Sequence, residues 1–122
     1  MADEAKDRDH PHHTSLWTAH GDINGVDHWS VKRGDKLGIQ KHRKFLSAQS
    51  GPVFGRLQML IDWNDAKGTR QLTEQRTYTF YAPTDDRRLI DVQVLFEMTD
   101  GDVKFGDTKE GGLVALRTPV SM

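Results

Sequence analysis

Between Arg88 and Thr99 the apolar residues recur at every second position. Ile90, Val92, Val94, Phe96 and Met98 share one parity, while Asp91, Gln93 and Glu97 take the other. A side-chain period of two belongs to a half-buried β-strand and is incompatible with a helix, whose faces repeat every three to four residues. The stretch Val53 to Trp63 has the same pattern, with Leu57, Met59, Ile61 and Trp63 on one side and Arg56, Gln58 and Asp62 on the other. Thr69 to Tyr81 lies between them and is rich in Thr, Tyr and Phe, which favour a pleated surface. The connections carry turn chemistry: Asn64-Asp65-Ala66-Lys67-Gly68, with Gly68 suited to positive φ, then Pro83-Thr84-Asp85-Asp86 and Asp100-Gly101-Asp102.

Three long strands joined by short turns predict an all-β fold, an antiparallel sandwich or meander. Val103 to Phe105 and Leu113 to Thr118 read as shorter strands. Residues 26–32 and 37–48 read as further strands, although Lys41 to Ala48 also suits one or two helical turns. Residues 1–14 are charged and His-rich and read as an arm or loop on a single domain spanning 1–122.

Composition narrows the function classes. A formal net charge of −1 gives no global field toward nucleic acid or anionic lipid. The basic stretch from Lys32-Arg33 to Lys41-His42-Arg43-Lys44 is a solvated surface, because nucleic-acid binding wants more charge and interleaved aromatics. With no Cys, disulfides, thiolate metal sites and cysteine nucleophiles are excluded. No apolar run approaches the roughly 20 residues of a membrane helix. No signal-peptide pattern opens the chain, and the compartment stays open between cytoplasm and periplasm.

Histidine is the unusual residue, with His10, His12, His13, His20 and His28 close together. Imidazole is the usual acid or base near neutral pH and a common metal ligand. Adjacent His12 and His13 point opposite ways in an extended segment, and no HExxH spacing is present, so no metal site and no cofactor is expected. Glu74 and Arg76 are the second anomaly, since by parity they share the bulky side of their strand with Leu72, Tyr78 and Phe80. Charge on such a face must pair or line a cleft. The third is Gly106-Asp107-Thr108-Lys109-Glu110-Gly111-Gly112, a glycine-flanked loop that offers an acid and a base.

The segment from Asp9-His10-Pro11-His12-His13 through Trp17, His20-Gly21-Asp22-Ile23-Asn24-Gly25 and Trp29, with Leu72-Thr73-Glu74-Gln75-Arg76 and Phe105 to Gly112, resembles a bacterial family that carries the label "methane oxygenase PmoA" or is left without a function. The resemblance implies a soluble β-sandwich linked to carbohydrate metabolism, in proteins about twice this length, so that this chain corresponds to a central fragment and is part of a larger sandwich. The label itself conflicts with the physics. A particulate methane monooxygenase subunit is built of membrane helices, and this chain contains no segment of that kind. The resemblance supplies no catalytic residues.

Three functions compete on the chemistry of the residues. In a carbohydrate-active enzyme core, His12, His13, His20, Glu74, Lys109 and Glu110 would supply acid–base groups, and Trp17, Asn24, Arg76 and Asp107 would contact the sugar. A non-catalytic carbohydrate-binding or interaction module would use the same side chains as polar contacts. A metal-dependent oxidoreductase is the third. A small carbohydrate is the expected partner, with homo-oligomers forming through open sheet edges.

Overall fold

The computed structural model describes residues 15–31, 36–110 and 113–118. The chain is all-β and antiparallel, with strands β1 (Leu16–Thr18), β2 (Ile39–Gln49), β3 (Phe54–Asn64), β4 (Arg70–Tyr81), β5 (Ile90–Glu97) and β6 (Val114–Leu116). Among the described residues no helix is long and apolar enough to cross a membrane. Two compact units divide the chain, one drawn from Met1–Gly38 and Lys104–Met122, the other Ile39–Val103.

The second unit is a meander in which β2, β3, β4 and β5 are neighbours in chain order. The three long strands follow the bounds that alternation and turn residues predict to within about two residues. The β3–β4 turn shows why: the Asp65 carboxylate accepts the backbone N–H of Lys67 and of Thr69, both at 2.9 Å, and Gly68 adopts φ +86°. An Asp at the first position and a glycine at the left-handed position close the hairpin in one register. Lys41 to Ala48 is strand rather than helix, because pairing with β3 supplies its backbone partners. It accommodates two register shifts, between His42 and Lys44 and between Phe45 and Ser47.

Cross-strand register sorts the side chains of this sheet into two faces. One carries Leu57, Met59, Ile61, Trp63, Leu72, Tyr78, Val92, Val94 and Phe96, with Glu74 and Arg76 among them. The buried core here is Ile61, Trp63 and Leu72, with Phe96 packed edge-on against Trp63 at 5.4 Å between ring centroids. The other face is polar, and its rungs are hydrogen bonds between directly paired residues: Gln58 to Thr77 at 3.2 Å, Arg56 to Thr79 at 3.3 Å and Thr73 to Asp62 at 3.0 Å. Long polar side chains lying over the threonines explain why Thr73, Thr77 and Thr79 are buried on a hydrophilic face.

In the first unit β1 pairs with β6, Trp17 opposite Ala115. Two expected strands are absent as strands. Residues 26–31 contribute only isolated bridges, Val26 to Ile23 and Asp27 to Leu37, and of Val103 to Phe105 only Phe105 is bridged, to Ile23. Asn24 at φ 51° and Gly25 at φ 81° reverse the chain there. The exchange of hydrogen bonds between Ile23 and Val26 leaves a tight turn instead of a continuing ladder.

Candidate functional site

Two segments distant in sequence are laced together in the first unit. Gly106 N–H donates to the Asp22 carbonyl at 2.8 Å, and Asn24 N–H to the Lys104 carbonyl at 2.9 Å. The Asn24 side chain returns the contact by accepting Lys104 N–H at 2.8 Å. Across this seam the His20 Nε2 lies 3.0 Å from the Gly106 carbonyl oxygen, and its ring meets Phe105 edge-on at 5.3 Å. A carbonyl can only accept, so Nε2 carries the proton of this contact.

The 106–110 loop then folds over Gly21. A Cβ at Gly21 would come within 3.2 Å of Thr108 Cγ2, closer than ordinary contact, and Glu110 Oε2 lies 3.5 Å from the same point. Thr108 Oγ1 donates to the Glu110 carbonyl at 3.1 Å and fixes the loop's curvature. The Glu110 side chain is 23% exposed, and Lys109, 92% exposed, holds its ammonium 3.7 Å from Glu110 Oε1. Asp107 is exposed on the same loop. Gly106 permits the approach of the two segments, since a Cβ there would overlap the Asp22 carboxylate.

Of the expected residues, His20 is set against the Gly106 carbonyl at the start of the loop that carries Asp107, Lys109 and Glu110, and Asn24 acts as the clasp. Trp17 is half-buried on β1, its ring edge-on to Trp29 at 5.9 Å. His12 and His13 lie outside the described residues. Asp22, Thr108, Gly21 and Gly106 also build the seam, although none is among the expected catalytic or sugar-contacting residues. Asn24-Gly25 is a strong turn dipeptide that would have drawn attention to this seam. Nearby, the Asp27 carboxylate accepts the N–H of Trp29 at 2.7 Å and of Ser30 at 3.0 Å. Burial pushes the Asp27 carboxyl up, but these bonds and the adjacent His28 outweigh it and hold the pKa below the usual carboxylate value.

Glu74 and Arg76 belong to the other unit. Glu74 is 0% exposed, with Ile61 and Phe96 as its cross-strand neighbours. Arg76 grips it through Nε to Oε1 at 2.6 Å and Nη2 to Oε2 at 2.9 Å, Trp63 Nε1–H donates to Oε2 at 2.8 Å, and Arg76 Nη1 reaches the Tyr78 hydroxyl at 3.3 Å. Burial alone would lower the Arg76 pKa; the bonds to Glu74 and Tyr78 reverse this and raise it. A bidentate, fully engaged pair of this kind is how a charge survives on an apolar face.

The polar face of the meander offers a different surface. An open trough of about 490 Å³ is lined by Arg56, Gln58, Thr77, Thr79, Tyr81 and Gln93 among others. Tyr81 donates to Asp91 at 2.8 Å, and Arg56 lies 5.0 Å over the Phe54 ring. Among the described residues no group of three or more His, Asp or Glu side chains is arranged to hold a metal ion.

These features define an all-β antiparallel protein in which His20 is held against the loop that carries Glu110. Residues 2–122 match the model of a family of unknown function, DUF6807, and the chain belongs to that family. No curated protein and no solved structure matches the chain. The family description names no activity, so the oxygenase label attached to the resemblance gains no support from it.

Proposed function

We propose that the laced loops around His20 and Glu110 bind a carbohydrate, and that His20 exchanges a proton with it. The observation that carries this is the convergence of His20, whose Nε2–H is committed to the Gly106 carbonyl, with the Thr108–Glu110 loop folded over Gly21. A sugar presents a dense array of hydroxyls. A carboxylate accepts from them, an ammonium donates to them, and an imidazole with a free-electron-pair Nδ1 can take a hydroxyl proton and return it. Proton exchange of this kind is what ring opening, epimerisation or elimination on a sugar requires. The half-buried Trp17 and Trp29 add flat apolar surface of the type that sugar rings pack against.

Chemical-shift mapping with a panel of mono- and oligosaccharides tests the proposal. The amides of His20, Gly21 and Thr108 to Glu110 should move, and Glu110→Gln and His20→Ala should each weaken binding about tenfold, the worth of one hydrogen bond to a charged or fixed partner. Turnover should vanish in His20→Ala if the imidazole transfers the proton. Shifts confined elsewhere would refute the site.

A second reading, non-catalytic carbohydrate binding, is favoured by the trough on the polar face of the meander. Its planar amides, guanidinium and Tyr81 suit a neutral polyhydroxyl ligand. The same titration separates the two, because the side-chain amides of Gln58 and Gln93 would then respond in place of His20.

A further inference from the structure

The two outer strands of the meander are unlike each other. β2 is broken by two register shifts and carries Lys41, Arg43 and Lys44, the devices by which an edge strand resists pairing with another chain. β5 has neither. Its register against β4 is unbroken from Ile90 to Glu97, and that span contains no Lys, Arg, Pro or Gly. Among the described residues the sheet ends at β5. Ile90 and Leu95 are 47% and 49% exposed, and flanking Leu89 and Met98 are exposed as well.

Hydrogen bonding identifies which backbone groups face outward. Tyr81 N–H donates to the Leu89 carbonyl at 3.1 Å, so the odd-numbered residues of β5 turn their polar backbone toward β4. Alternation leaves the N–H and C=O of Ile90, Val92, Val94 and Phe96 directed away from the sheet.

We propose that β5 pairs antiparallel with β5 of a second copy, about a two-fold axis at Gln93, to form a continuous eight-stranded sheet. Side chains keep to their own face only when opposed residues share parity, which limits the central registers to axes at Val92, Gln93 or Val94. An axis at Val94 sets Asp91 opposite Glu97 twice, a like-charge opposition. An axis at Val92 shortens the overlap and runs Phe96 against Arg88. With the axis at Gln93, Ile90 meets Phe96, Val92 meets Val94, and Gln93 meets itself, over the full strand and with no charges opposed. The apolar face of one copy continues into that of the other.

Sedimentation equilibrium of the chain should give twice its 13.9 kDa mass. Val94→Pro removes an outward N–H and spares the bonds to β4, so it should yield a monomer with an unchanged β-type circular dichroism spectrum. Because the chain has no Cys, Gln93→Cys reports the register directly. Two non-hydrogen-bonded residues facing each other across the axis should oxidise to a disulfide-linked dimer, whereas Lys44→Cys on β2 should not. The crosslink decides the matter if Val94→Pro fails to fold. A monomeric wild-type chain at all concentrations, or a dimer that crosslinks equally through Lys44→Cys, would overturn the proposal.

Discussion

At the scale of single residues, the Glu74–Arg76 pair is the most consequential feature of the meander. Parity alone predicts that two charges share an apolar face and must be satisfied. Whether they pair or face a cleft depends on Trp63, eleven positions upstream of Glu74, whose indole N–H completes the carboxylate's coordination. Glu74→Gln should cost about 3–5 kcal/mol in urea unfolding, since it strips a half-buried guanidinium of its counter-charge. The double replacement Glu74→Leu with Arg76→Met should recover most of that loss, because no charge is then left alone. Asp27 predicts a pH effect of definite sign. Its folded pKa lies below the unfolded value, so its contribution is complete above the ordinary carboxylate range and disappears as pH falls through the depressed value. The urea midpoint should therefore drop between about pH 5 and pH 3, and Asp27→Asn should flatten that slope.

Among elements, turns and loops fall into those set by local chemistry and those set by neighbours. The Asp65 to Thr69 turn is local: its hydrogen bonds and the positive φ of Gly68 follow from adjacent residues. No atoms lie within 4 Å of a Cβ at Gly68, so Gly68→Ala should cost only the conformational strain, about 1 kcal/mol, in thermal unfolding. Gly106 is the opposite case. Its φ is ordinary, and its need for glycine comes from the Asp22 carboxylate packed against it. Gly106→Ala should cost about 1–3 kcal/mol through overpacking and displace the carbonyl that orients His20, so that stability and the proposed sugar binding fall together. The short expected strands around Val26 and Val103 fail for a related reason. Their apolar content suits a strand, but the Asn24-Gly25 reversal and the Asn24–Lys104 clasp take up the backbone groups a ladder would need.

For the whole molecule, the buried apolar side chains among the described residues are Ala19, Ile23, Ile61, Trp63 and Leu72. Stability by urea denaturation should rise with protein concentration if β5 pairs between copies. The amino-acid sequence by itself determined that the chain is β, where the three long strands and their turns lie, and which parity of each strand is apolar. These properties arise within a few residues of one another, from side-chain period and turn chemistry. It also marked His20, Glu74, Arg76 and the Lys109-Glu110 loop as unusual. Only the tertiary structure decided what each of them touches. The His20 imidazole is oriented by a carbonyl 86 positions away, and Glu74 is engaged across a strand pair. A hydrogen bond between residues so far apart leaves no periodic trace in the chain, because it depends on where folding carries each partner and on nothing in the residues between.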